Sequence, residues 1–301
     1  MDIDTEERRQ GTMKKQQKQT KEKDLLKIGT HLSVAAGYRR MGQDALAIGA
    51  NTLQFFARNP RGARAKEINP EDIEGFRKLL EENGFARIIA HAPYTLNPCS
   101  SQSHLRTLSA QMFAEDLQRM ELLPGNLYNL HPGSRLEQDE ELAISQIADM
   151  LNRIMFSKMH TTVLLETMSG KGSEVGKSFE ELKEILKRVE LEDKIGICMD
   201  ACHMWNAGYD IVDKLDEVLE QFDYIIGLKY LKAIHINNSK DSLGSGKDRH
   251  EQIGQGYIGE AAIIRMIKHP LLQGLPFILE TPTDLDGHRE EIRRLKEAYH
   301  G

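Results

Sequence analysis

Eight short apolar runs, each followed by a polar break and then a stretch of helical periodicity, recur along this chain and restrict its fold more than any other feature. The runs are Lys27–Ser33, Thr52–Phe56, Ile88–His91, Leu127–His131, Thr162–Glu166, Ile195–Asp200, Ala233–Asn237 and Pro276–Glu280. Runs of this length, bounded by turn residues, read as buried strands. Helices are predicted over Gly37–Gly49, over Pro70–Asn83 with Gly84 placed to end it, and in a long segment closing at Leu122. Others are predicted over Glu140–Met155, from Ser178, near Asp213–Gly227 and Glu260–Lys268, and over Asp286–Tyr299. Ser178 and Glu181 have the spacing of a capping box, and Phe179, Leu182, Ile185, Leu186 and Val189 share one helical face behind them. Eight alternations without a composition shift predict an α/β protein, a single (β/α)8 barrel over residues 27–301. A doubly wound open sheet is the alternative, and the count of eight disfavours it.

The ends of these runs carry chemistry. His91, His131, Glu166, Asp200, His235 and Glu280 close six successive strands, and His203, Asp248 and His250 lie just past strand ends. In a barrel of parallel strands the C-terminal ends converge on one mouth. Taken singly, each has an ordinary reading: a hydrogen-bonded histidine, a helix-capping Asp200 or Glu280, an Asp248 paired with Arg249. Six coincidences at consecutive strand ends are another matter. Four carboxylates in one mouth repel unless cations compensate. Five histidines and four carboxylates, with no cysteine among them, suit zinc or a similar divalent ion. A catalytic zinc takes about three protein ligands, so the set suits three ions with a shared carboxylate. Three divalent ions outweigh four carboxylates, and a positive cluster of that kind suits a phosphodiester.

The remaining signals are exclusions. The net charge of −6 argues against a generally basic nucleic-acid binder but not against a local site. Three cysteines in 301 residues fit a reduced, intracellular protein, and cytoplasmic location is the expectation. No run of about 18 apolar residues exists, so no membrane-spanning helix is expected. Residues 1–26 are charged, contain no aromatic and lack a signal-peptide core, and read as a disordered tail. Gly254, Gly256 and Gly259 spell a dinucleotide fingerprint, but Asp248–Gln252 before them cannot be a buried strand, so no nucleotide cofactor is expected. Cys198 reads as strand core. His31 lines the mouth or packs, and Trp205 sits in a loop spelling DACHMWNAGYD. His104, His160, His269, His288 and His300 are expected to face solvent.

The segments GTHLSVAAG, HAPY, HPGS, GKGSEVGKSFEEL, DACHMWNAGYD, HINNSK, DRHEQIGQGYIG and LETP, taken in order, resemble the endonuclease IV family of zinc-dependent apurinic/apyrimidinic endonucleases. The resemblance runs from about Ile28 to Tyr299 and implies a TIM barrel of the xylose isomerase-like kind. It implies three zinc ions, with manganese admissible at some positions. His91 and His131 would hold one, and Glu166 would bridge it to a second held by Asp200, His235 and Glu280. His203, Asp248 and His250 would hold the third. It further implies a monomer that incises double-stranded DNA 5′ to an abasic site through a metal-bridging hydroxide oriented by Glu166, leaving a 3′-hydroxyl. Arg61 and Tyr94 match positions that probe the duplex. Thr95 stands where the family often carries a large apolar wedge, Asn238 replaces an aspartate, and Arg135–Glu141 is charged and short. Two other readings stay open: a divalent-metal sugar isomerase or epimerase on the same barrel, and a metal-loaded DNA-binding protein with little catalysis.

Overall fold

In the computed structural model, which describes residues 25–62 and 64–301, eight parallel strands close into a barrel wrapped by helices. In chain order the elements are β1 (Lys27–Leu32), α1 (Tyr38–Ala47), β2 (Gln54–Phe56), α2 (Pro70–Glu82), β3 (Ile89–His91), α3 (Ser103–Met120), β4 (Leu127–Leu130), α4 (Glu140–Ile154) and β5 (Thr162–Glu166). There follow α5 (Phe179–Arg188), β6 (Ile195–Asp200), α6 (Ala201–Ala207), α7 (Leu215–Ile225), β7 (Leu231–His235), a ribbon of β8 (Asn238–Ser239) and β9 (His250–Glu251), α8 (Gly259–Lys268), β10 (Pro276–Leu279) and α9 (Leu285–His300). Neighbouring strands run β1-β2-β3-β4-β5-β6-β7-β10 and back to β1, so every barrel edge is paired. The expected barrel is therefore present, and each expected strand lies within a few residues of its place.

Side chains alternate across a strand, so one face of each fills the lumen and the other meets the helices. Ile89, Leu127, Leu164, Cys198, Ala233 and Ile278 form a small apolar cluster separate from the main core. Two residues further along the same strands come His91, Asn129, Glu166, Asp200, His235 and Glu280. The period of two thus stacks a polar layer directly on an apolar plug. Residues of opposite parity, such as Tyr128, Leu165, Met199 and Ile234, pack outward against the helices.

Several local expectations are corrected. Glu181 does not complete a capping box: Ser178 Oγ accepts the Glu181 N–H at 3.2 Å, but the Glu181 carboxylate accepts from the N–H groups of Gly176 (2.6 Å) and Lys177 (3.3 Å). The preceding loop offers those unsatisfied donors nearer its reach. The DACHMWNAGYD segment is not simply a loop. Asp200 accepts the His203 N–H at 2.7 Å and caps the short helix α6, which Gly208 ends at φ 105°. His288 is buried rather than solvent-facing, near Thr281 and Glu291. Leu26, assigned to the tail, is buried, and its carbonyl accepts from Asn51 Nδ2 at 2.9 Å; residues 1–24 lie outside the described residues. Gly254 and Gly256 lie in a loop, as expected, and Gly259 is the first residue of α8. A Cβ at Gly256 would lie 2.3 Å from the Ser239 carbonyl, so this glycine serves close backbone approach to the ribbon. Among the described residues no helix is long and apolar enough to cross a membrane.

Candidate metal centre at the barrel mouth

All nine histidines and carboxylates singled out from strand ends meet at one mouth, in three groups of which two share Glu166. Within each group the ligand-type atoms lie within 4.8 Å of one another: His91, His131 and Glu166; Glu166, Asp200, His235 and Glu280; and His203, Asp248 and His250. Glu166 is the hinge of the arrangement. Its Oε2 faces His91 Nε2 at 3.1 Å and His131 Nε2 at 3.5 Å, while Oε1 faces Nδ1 of His203 and of His235, each at 3.3 Å. His235 Nδ1 also lies 3.5 Å from Asp200 Oδ2 and 3.3 Å from Glu280 Oε2. In the third group Asp248 Oδ1 lies 3.2 Å from His203 Nε2 and 3.5 Å from His250 Nε2.

The rings are held from behind. His91 Nδ1–H donates to the Ala92 carbonyl at 2.7 Å, His203 Nδ1–H to Thr167 at 2.9 Å and His250 Nδ1–H to Glu280 at 3.3 Å. Each bond leaves Nε2 as the nitrogen turned into the site, which is how metal-binding histidines are generally oriented. Nε2 of His203 and of His250 are buried and make no hydrogen bond, although Asp248 is close to both. Buried nitrogens without partners, aimed at a carboxylate, are what a cation site requires. The donor set therefore fits divalent ions.

Electrostatics agree with the geometry. Burial works against charge on Glu166, yet the facing His235 and His131 imidazoles hold its carboxyl well below the usual range. Burial likewise opposes ionisation of Glu280 and Asp200, but His235 and His203 respectively lead the groups that lower them. Asp248 is brought down to about 2 against its burial by the adjacent His203 imidazole, with His250 and His131 adding to it. Burial alone would lower His203 and His235, but the surrounding anions raise both well above an ordinary imidazole. Without ions the mouth is thus a set of carboxylates neutralised by protons on histidine, and cations would displace those protons.

Asp200 caps α6 through Oδ1, its ordinary reading, while Oδ2 faces His235 in the mouth. Arg249 does not pair with Asp248; its Nε donates to Asp241 Oδ2 at 2.8 Å, leaving Asp248 to the histidines. Cys202 Sγ falls within the same 4.8 Å of Asp200 and His250, but burial pushes its thiol up to about 12, so it stays protonated. His31 lines the mouth, 3.6 Å from Glu280 Oε1. Trp205 packs, its indole N–H donating to the Asp241 carbonyl at 3.0 Å. Asn238 is structural: its Oδ1 accepts from Ser239, Ile258 and Gly259, which an aspartate could also do.

Three polar residues of the site were not anticipated. Asn129 Nδ2 donates to Glu166 Oε2 at 2.5 Å, Asn237 Nδ2 donates to Asp200 Oδ2 at 2.8 Å, and Gln54 touches His235 and Glu280. Each was legible as a polar residue at lumen parity within an apolar strand or just beyond it.

Arg61, Tyr94 and Thr95 lie exposed on the rim, not in the metal groups. Tyr94 N–H donates to the Pro60 carbonyl at 3.0 Å, which sets the loop bearing Arg61 beside it. The Tyr94 ring leans on Phe56 at 5.2 Å and lies 6.0 Å from His131. Partial desolvation against Phe56 and the carboxylates below, Glu280 foremost, raise its phenol to about 12, so it remains a hydrogen-bond donor.

Residues 43–298 match the family described as xylose isomerase-like TIM barrel. The probable endonuclease 4 of Alkaliphilus oremlandii is 56% identical over 275 residues, covering 91% of this chain and 98% of that protein. That of Akkermansia muciniphila is 57% identical over 272 residues, covering 90% and 98%. The crystal structure of endonuclease IV from Thermus thermophilus superposes with a TM-score of 0.82 at 31% identity, covering 91% and 99% of the two chains. A D-tagatose 3-epimerase-like protein superposes at 0.68 with 18% identity, covering 90% and 97%, a likeness of fold alone.

Proposed function

This chain belongs to the endonuclease IV family, and from that premise we propose that it hydrolyses the phosphodiester 5′ to an abasic site in double-stranded DNA, leaving a 3′-hydroxyl and a 5′-deoxyribose phosphate. The observation that carries the reading is the division of nine ligands into three groups, two of them joined through Glu166 and the third containing two buried, unpartnered histidine nitrogens.

We assign one zinc ion to His91, His131 and Glu166, one to Glu166, Asp200, His235 and Glu280, and one to His203, Asp248 and His250. Such ions, when bound, supply Lewis acidity toward phosphoryl oxygens and make water a competent nucleophile near neutral pH. The chain's own contribution is placement. Glu166 presents one oxygen to each of two groups and so sets their spacing. Asn129 holds one of those oxygens, and the backbone carbonyls behind His91, His203 and His250 fix their rings. At the rim, Arg61 supplies charge to the phosphate backbone and the Tyr94 hydroxyl a neutral donor beside the first group. Extruding an abasic nucleotide is cheapest where no base is paired, which suits a site recessed in a barrel mouth. We read the protein as an intracellular monomer.

A duplex carrying one tetrahydrofuran abasic analogue tests this, with the metal content of the same sample determined. Incision on the 5′ side, abolished by a chelator and restored by zinc, is expected. Three bound zinc ions without incision would overturn the reaction, and fewer ions together with epimerisation of a ketohexose would move the assignment to the sugar enzymes. The third ligand group counts against that second outcome, because isomerisation of a hydroxy-carbonyl leaves it without a task.

A further inference from the structure

Gln54 is wholly buried and sits in β2 between His31 of β1 and Ile89 of β3, its side chain directed into the lumen. A long amide in an apolar strand must find partners for one acceptor and two donors. It finds them all in the mouth. Nε2 donates to Glu280 Oε1 at 2.6 Å and lies 3.1 Å from His31 Nδ1, while Oε1 lies 2.8 Å from His235 Nε2.

The carboxylate decides which way round the amide stands. Glu280 can only accept, so the amide nitrogen must face it, and the amide oxygen must then face His235. An oxygen acceptor at His235 Nε2 requires a hydrogen there. Nδ1 is then the nitrogen turned into the four-residue group, facing Glu166, Asp200 and Glu280, and the one left for an ion once its proton is displaced. Gln54 makes the hydrogen bond given to His235 Nε2, and so fixes which nitrogen is turned away from the carboxylates. One residue therefore selects the tautomer of a histidine and steadies a carboxylate, both within the four-ligand group.

We propose that Gln54 is the positioning residue of that group: it presets His235 as an Nδ1 ligand and Glu280 as its neighbour, and so raises the group's affinity for a divalent ion. The inference rests on the metal reading above and concerns only one of the three ion positions. Loss of an outer hydrogen bond of this kind lowers metal affinity by about 10–100-fold.

The test uses the full chain, stripped of metal and titrated with zinc against a competing chelator. Multiple-bond 15N–1H spectra of histidine-labelled, metal-free protein, recorded at a pH high enough for His235 to be neutral, report the tautomers. Gln54→Met keeps length and removes all three hydrogen bonds; Gln54→Glu keeps an acceptor for His235 and removes the donor to Glu280. In Gln54→Met we expect one of three zinc sites to weaken about 10–100-fold, the other two to hold, and the His235 Nε2–H signature to give way to a tautomer mixture. In Gln54→Glu the signature returns. Equal zinc affinity at all sites in Gln54→Met, or an unchanged His235 tautomer, would overturn the role. If Gln54→Met does not fold, Gln54→Glu decides by keeping or losing the signature. A wild-type protein that binds no zinc would instead sink the metal reading itself, a separate result.

Discussion

Replacing Glu166 with glutamine removes one charge and almost no volume, and it strikes two ligand groups at once. Histidine nitrogens of those groups sit 3.1–3.5 Å from the carboxylate oxygens. At such range and an effective dielectric of about 20, each unit of cation charge is attracted by roughly 5 kcal/mol. Desolvation cancels much of this; retaining about a quarter leaves ~2.5 kcal/mol for a divalent ion, or close to 100-fold in affinity at each group. The amide adds a second fault, because whichever way it turns, an N–H faces nitrogens meant for an ion. With zinc buffered below both dissociation constants, incision of an abasic duplex should fall by the product of the two, about 10⁴-fold. Zinc content after gel filtration should fall to the one ion of the third group, and excess zinc should recover part of the rate. Circular dichroism checks that the barrel persists. A Glu166→Gln protein that keeps its full zinc content and cuts at the wild-type rate would refute both the shared-ligand assignment and the attraction of carboxylate for cation on which the 10⁴-fold loss depends.

Three further outcomes are expected. Arg61→Ala should weaken binding to duplex DNA and lower the magnitude of its log–log salt slope by about 0.9, the value of one phosphate contact; unchanged binding at low salt removes the residue from the interface. Asp116→Asn removes the buried counter-charge of the Arg58 guanidinium, which makes bonds of 2.8–3.1 Å to Asp116, leaves it the exposed Glu115 at 3.1 Å, and should cost about 3–5 kcal/mol in chemical denaturation; a loss under about 1 kcal/mol would mean that water or Glu115 compensates. The ion-free protein should lose stability as pH rises. His203 and His235 have folded pKa values raised above their unfolded value of about 6.5, so their contribution is complete below that pH and disappears as pH climbs through the raised values. Melting temperatures of chelated protein should therefore fall on the alkaline side while zinc-loaded protein does not follow, and a flat chelated profile would contradict the sign.

The alternation of strands and helices, and the ligand-type side chains at the strand ends, were open to inspection in the sequence because both follow from local periodicity. A strand of period two that ends in His, Asp or Glu places that residue in the lumen layer above an apolar one, as Leu164 and Glu166 show. Closure of the barrel then gathers those ends whatever the loops do. The grouping of ligands was legible only through resemblance to a family. His203 follows Asp200 by a single helical turn, yet its Nε2 turns toward Asp248, in the loop joining β8 and β9, and its ring faces His250 of β9. That direction depends on α6, a helix capped by the same Asp200 that enters the site, and no spacing rule encodes it. Likewise Gln54 belongs to the second strand and Glu280 directly follows the last, and they meet because the sheet closes β1 against both β2 and β10. The burial of His288 and the diversion of Glu181 to loop amides were also decided by neighbours outside the local pattern. Periodicity determines which side of an element a residue occupies. Tertiary structure decides which atom it faces there, because strand tilt, stagger and loop path set distances between segments that the local sequence does not relate.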